Sequence, residues 1–145
     1  MDVTDFFSKE QQKAITNAIV QAELNTSGEI RVHVESYCKG NPMKRALSLF
    51  HSLEMNKTQL HNGVLFYIAF KSHKLAIIGD EAIHRHVKQS FWNEQSANMQ
   101  ALFAQNLYTE ALVAAILAAG EKLKEHFPHA ETDVNELSDE ISFGL

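Results

Sequence analysis

The chain has 145 residues, 45% of them hydrophobic and 21% charged, which suits one domain with a buried core and leaves little room for two. Its formal net charge of −5 argues against nucleic-acid binding, which needs a basic face. A single cysteine, Cys38, excludes an intramolecular disulfide and a cysteine-built zinc site.

The longest apolar run, 111–119, is about half of the roughly twenty residues a membrane span requires, so no span is expected. The opening Met1-Asp2-Val3-Thr4-Asp5 has neither a basic nor an apolar stretch of signal-peptide type. A reducing cytoplasm is the simplest location for such a chain. Glu131, Asp133, Glu136, Asp139 and Glu140 carry the whole net charge without a Lys or Arg among them. Residues 1–130 are therefore read as the folded domain and 131–145 as a solvated acidic tail. Leu137, Ile141 and Phe143 give that tail the means to dock its end as a short edge strand.

In chain order, Ser8 with Gln11 forms a capping box before Ile15, Ala18, Ile19 and Ala22, which recur at helical spacing. That helix should end near Asn25, at the turn chemistry of Thr26-Ser27-Gly28. From Glu29 to Glu35 the chain alternates: Ile30, Val32 and Val34 make one apolar strand face, opposite Arg31 and His33. Asn41-Pro42 reads as an N-cap and first helical residue, followed by Met43, Ala46, Leu47, Phe50 and Leu53 on one face. Residues 48–61 read as a long polar connection, a possible lid. Residues 64–70 are apolar without alternation, as in a central strand covered on both faces. Lys71-Ser72-His73-Lys74 is too short for a crossover, so residues 75–78 should return antiparallel. Helices should follow over 82–104, with an irregularity near Trp92, and over 107–126, stopped by Pro128.

The order α-β-α-β-β-α-α is that of a small three-layer α/β/α sandwich on a mixed sheet, with the first two strands parallel. Because the third strand runs backwards, its carboxyl end meets the amino ends of the other two. Gly28-Glu29, His61-Asn62-Gly63 and Gly79-Asp80-Glu81 should then share one rim, bringing together the carboxylates of Glu29, Asp80 and Glu81. Oxygen ligands of this kind suit Ca²⁺ or Mg²⁺, and a divalent ion relieves their mutual repulsion. The competing structural reading makes Asp80 a helix cap, puts Glu81 at the positive end of the helix dipole and lets Glu29 face water. Whether Glu35, at the far end of its strand, belongs to a second site stays open.

Asn25-Thr26-Ser27-Gly28-Glu29-Ile30-Arg31-Val32-His33-Val34-Glu35 resembles the opening strand of the TPM-domain family. Asn62-Gly63-Val64-Leu65-Phe66-Tyr67-Ile68-Ala69 and Ala76-Ile77-Ile78-Gly79-Asp80 resemble its second and third strands, and Trp92 and His126-Phe127-Pro128 fit the same pattern. The resemblance implies a Rossmann-like sandwich whose acidic cleft binds divalent ions. It includes thylakoid-lumen proteins linked to photosystem II repair, and a phosphatase activity attributed to plant members.

Other chemistry is set aside. Cys38 and Arg45 are separated by six residues instead of the five of a cysteine-phosphatase loop, so Cys38 reads as an inert, partly buried thiol. His84 and His86 point to different helix faces, and His126 and His129 suit a helix end. His33 reads as a packing residue, whereas His61 falls near Asp80. The leading expectation is a Ca²⁺- or Mg²⁺-binding accessory module held by Glu29, Asp80 and Glu81, serving a protein partner that the residues do not name. The alternative is a metal-dependent phosphomonoesterase, with His61 or Lys57 holding phosphate.

Overall fold

Ser8 opens the first long helix, and its hydroxyl and the Gln11 side chain each accept from the other's backbone N–H, the reciprocal cap that the spacing predicts. In this computed structural model, which describes residues 3–129 and 137–144, α1 runs Lys9–Glu23 and buries Ile15, Ala18 and Ile19. Strand β1 (Glu29–Glu35) follows, then α2 (Pro42–Ser52), where Asn41 Oδ1 accepts from the N–H groups of Met43 and Lys44. Next come β2 (Gly63–Ala69), β3 (Lys74–Gly79), α3 (Glu81–Phe103), α4 (Tyr108–His126) and the two-residue β4 (Ser142–Phe143).

The sheet order is β3-β2-β1-β4. β1 pairs parallel with β2 and with β4, and β2 pairs antiparallel with β3. Ile30, Val32 and Val34 join Val64, Phe66 and Ile68 in a core beneath α1, α3 and α4. Leu65, Tyr67, Ala69 and Ala76 form the opposite core with Ala46, Leu49 and Phe50 of α2. This is the mixed three-layer α/β/α arrangement expected from the element order.

Several local expectations change. β1 is buried on both faces, because Arg45 of α2 and Tyr67 of β2 close over Glu35 while β4 pairs along the open edge. The 48–61 connection is packed: α2 continues to Ser52, Met55–Lys57 forms a 3-10 turn, and Met55 and Thr58 are buried. Its apolar anchors outweigh its polar composition. The irregularity in α3 lies one turn earlier than Trp92, at Lys88, with φ 65° and ψ 173°. Eight helical residues span about 12 Å, yet Trp92 Nε1 donates to His84 Nδ1 at 3.0 Å, a contact that the break permits. Trp92 also presses on Gly79, where an added Cβ would come within 2.3 Å of the indole.

Residues 130–136, the first part of the predicted acidic tail, lie outside the described residues. Residues 137–144 are not a solvated extension. Leu137 packs on the α2-side core, Ile141 and Phe143 on the other, and β4 supplies the docked edge strand.

Candidate functional site

The strand register builds the predicted rim. Glu29 stands opposite Gly63, and Gly79 opposite Val64. Beyond the ladder, the Asp80 N–H donates to the Gly63 carbonyl at 2.9 Å and the Ala82 N–H to the His61 carbonyl at 3.1 Å. Asn62 Nδ2 reaches Ser27 Oγ at 3.4 Å, closing the loops onto each other. Glu29, Asp80 and Glu81 therefore lie along one edge, with β2 between Glu29 and Asp80, a separation of about 10 Å at two strand spacings.

Their side chains take different partners. Asp80 Oδ1 accepts from the Glu81 N–H at 2.8 Å, capping α3. Asp80 Oδ2 is buried with no hydrogen-bond donor, and His61 Nδ1 stands 3.6 Å away. Glu81 is exposed at the first turn of α3. Glu29 does not face water: it is 3% exposed, and its Oε1 accepts from the Leu137 N–H at 2.7 Å. Among the described residues, no group of three or more His, Cys, Asp or Glu side chains is close enough to hold one ion.

Two further carboxylates gather beside Glu29 that the sequence does not single out. Glu23, at the end of α1, accepts the Ile30 N–H through Oε2 at 2.8 Å. Burial pushes its pKa up to about 9, with additional upward pushes from a hydrogen bond to Asp139 and from the charges of Asp139 and Glu29. No spacing rule links the end of one helix to a residue near the far end of the chain. The only hint is the apolar Ile141 and Phe143, which mark that segment as one that docks.

Glu35 occupies a different environment. Arg45 grips both of its oxygens, Nε at 3.0 Å and Nη2 at 2.8 Å, while the Tyr67 hydroxyl donates to Oε2. His33 Nε2 lies 3.3 Å from Oε1, and His33 Nδ1 meets Ser142 Oγ at 2.9 Å. Burial acts to raise the Glu35 pKa, but the bonds from Arg45 and Tyr67 outweigh it and hold the carboxylate below its ordinary range. Burial lowers the His33 pKa and raises that of Tyr67, where the bond to Glu35 adds to the effect. With its oxygens filled by an internal cation and a phenol, Glu35 is a structural anchor, and no second cation site is read there. Arg45 serves this pair and no phosphate loop. Cys38 is buried, as expected of an inert thiol.

The remaining histidines follow the same logic. His84 accepts from Trp92, while His86 stacks on His126 with ring centroids 4.3 Å apart. No described helix is long and apolar enough to cross a membrane.

A family model described as the TPM domain matches residues 1–122. Among solved structures, the BA42 protein of the psychrophilic bacterium Bizionia argentinensis is 40% identical, with 99% of each chain covered and a TM-score of 0.89. The N-terminal domain of a P. gingivalis protein is similar in fold at 17% identity, over 90% of this chain and 86% of that one, with a TM-score of 0.71. The N-terminal domain of the cg2496 protein of Corynebacterium glutamicum is similar at 13% identity, 93% and 84% coverage and a TM-score of 0.68. No curated protein matches the chain. By the family match and the architecture together, the chain belongs to the TPM-domain family.

Proposed function

We propose that the chain is a divalent-cation-binding accessory domain that takes Ca²⁺ or Mg²⁺ at the acidic rim through Glu29, Asp80 and Glu81. The observation that carries this reading is the Asp80 Oδ2 atom, buried at the rim without a hydrogen-bond donor. A buried carboxylate oxygen lacking a donor is costly, and a cation would satisfy it. The donors at hand are oxygens, the chemistry that hard cations select. Glu29 and Glu81 would have to turn toward Asp80 for all three to share one ion. The bound ion would then fix the rim loops that meet a protein partner.

Isothermal titration with CaCl₂ and with MgCl₂ tests the reading. Saturable binding at or below about 1 mM, the weak end of biological calcium sites, supports it. Asp80→Asn, which keeps the helix cap but loses the charge, should weaken binding about tenfold or more. Absence of heat with either cation, or full binding by Asp80→Asn, would remove the basis for the proposal. The phosphomonoesterase alternative adds turnover: cation-dependent hydrolysis of a generic phosphomonoester, abolished by Asp80→Asn, would select it over a binding role.

A further inference from the structure

A cavity opens on the α2 side of the sheet, between β1, the 3-10 turn after α2 and the docked C-terminal segment. It measures about 370 Å³, within the roughly 300–1,000 Å³ typical of small-molecule sites. Arg31, Lys57 and Thr58 bring its donors, Glu54 is its acidic side chain, and Leu137 and Ser138 close one wall. The Arg31 Nε and the Thr58 hydroxyl are both buried and have no hydrogen-bond partner. Thr58 is 3% exposed, so its side chain is held in place rather than free to seek water. Arg31 forms no ion pair among the described residues. Lys57 pairs loosely with Glu54 at 3.4 Å, with both side chains about two-thirds exposed. Glu29, two residues before Arg31 on the same strand face, accepts the Leu137 N–H at its Oε1.

We propose that this cavity is an oxyanion site for a tetrahedral group of the phosphate or sulfate type, gripped by Arg31, Thr58 and Lys57. Two donors withheld from water on one cavity wall form an incomplete set, and an anion supplies the acceptors both lack. The guanidinium comes from a strand, the hydroxyl from the stretch after the turn and the ammonium from the turn itself. Donors arriving from two separate parts of the fold, the strand and the turn, suit a tetrahedral group better than a planar carboxylate. The cavity exceeds the size of a bare oxyanion, so the group can be the end of a larger molecule. The site needs no metal and stands or falls apart from the cation reading.

The test is an NMR titration of the whole chain in excess chelator, using inorganic phosphate, sulfate, O-phosphoserine and acetate at matched ionic strength. Phosphate or sulfate should shift the Arg31 Nε and the amides of Arg31, Thr58, Leu137 and Ser138 saturably, with acetate at least about tenfold weaker. Phosphoserine binding more tightly than phosphate identifies the end of a larger molecule as the ligand; the reverse identifies the free ion. Thr58→Val should weaken phosphate binding several-fold, whereas Thr58→Ser should retain it. Without ligand, Thr58→Val should melt no lower than the native chain, because it removes a buried hydroxyl that has no partner. Arg31→Gln, checked for its fold by circular dichroism, should abolish saturation. Equal shifts with acetate, no shift with any anion, or unchanged binding by Thr58→Val and folded Arg31→Gln would overturn the proposal.

Discussion

Glu23 links the fold to pH. Its carboxyl titrates near 9 in the folded chain against an ordinary value of 4.5, chiefly because it is buried. Between those values the unfolded chain releases a proton that the folded chain keeps. Stability therefore falls as pH rises through this window, by up to about 1.4 kcal/mol per pH unit from this group alone. Glu23→Gln keeps an oxygen for the Ile30 N–H and removes the titration. Urea midpoints measured from about pH 5 to pH 8 should decline less steeply for this variant than for the native chain; parallel slopes would contradict the assignment. Glu35 has the opposite sign. Its pKa is depressed, so its contribution is present above the ordinary carboxylate range and is lost as pH falls through the lowered value. Removing its partner leaves a buried charge held by Tyr67 and His33 alone. Arg45→Met should cost about 2 kcal/mol, below the 3–5 of a fully buried pair because the Arg45 side chain is 44% exposed. A loss under about 0.5 kcal/mol by denaturant unfolding would show the pair to be dispensable.

At the scale of elements, the junction from β3 into α3 holds the rim in place. Gly79 gives the Trp92 ring room against the sheet, and the break at Lys88 lets Trp92 meet His84. Gly79→Ala would drive a methyl into the indole and should destabilise the chain by about 1–3 kcal/mol, read as a drop in melting temperature. If the melting temperature holds, the indole shifts easily and the contact does not set the junction. The junction also shows what a sequence displays and what it withholds. Caps, turns and strands were legible because their signals are local: Ser8 with Gln11, Asn41 with Pro42, the apolar run of β2 and the short link to β3. The shared rim followed, because strand direction follows from connection length. The break at Lys88 was not legible, since it goes with tertiary contacts of Trp92 with Gly79 and His84 that no local spacing signals. The packing of 48–61 was missed because one buried Met55 counts for more than the polar residues around it. Of the candidate site, Asp80 was readable as both cap and rim carboxylate. Glu23, Asp139 and the Arg31–Thr58 cavity depend on segments far apart in sequence, and no period or spacing joins them.

For the whole molecule, the described end of the chain is part of the fold. β4 covers the edge of β1, the Leu137 N–H donates to Glu29, and Ser142 meets His33. A chain ending at His129 would expose the β1 edge and lose the packing of Leu137, Ile141 and Phe143. It should unfold at lower denaturant and self-associate through the bare strand, which sedimentation would detect; a monomer of native stability would show the segment to be peripheral. The same segment borders both the acidic rim and the oxyanion cavity, so the two candidate sites share a wall. In the proposed reading, the reversed third strand assembles one cation site from Glu29, Asp80 and Glu81. Its most direct test is a calcium titration of the labelled chain followed amide by amide. Saturable shifts confined to residues 28–30 and 79–82, with one common dissociation constant, are expected. Shifts in only one of these stretches, different constants for the two, or no shifts at all would contradict it.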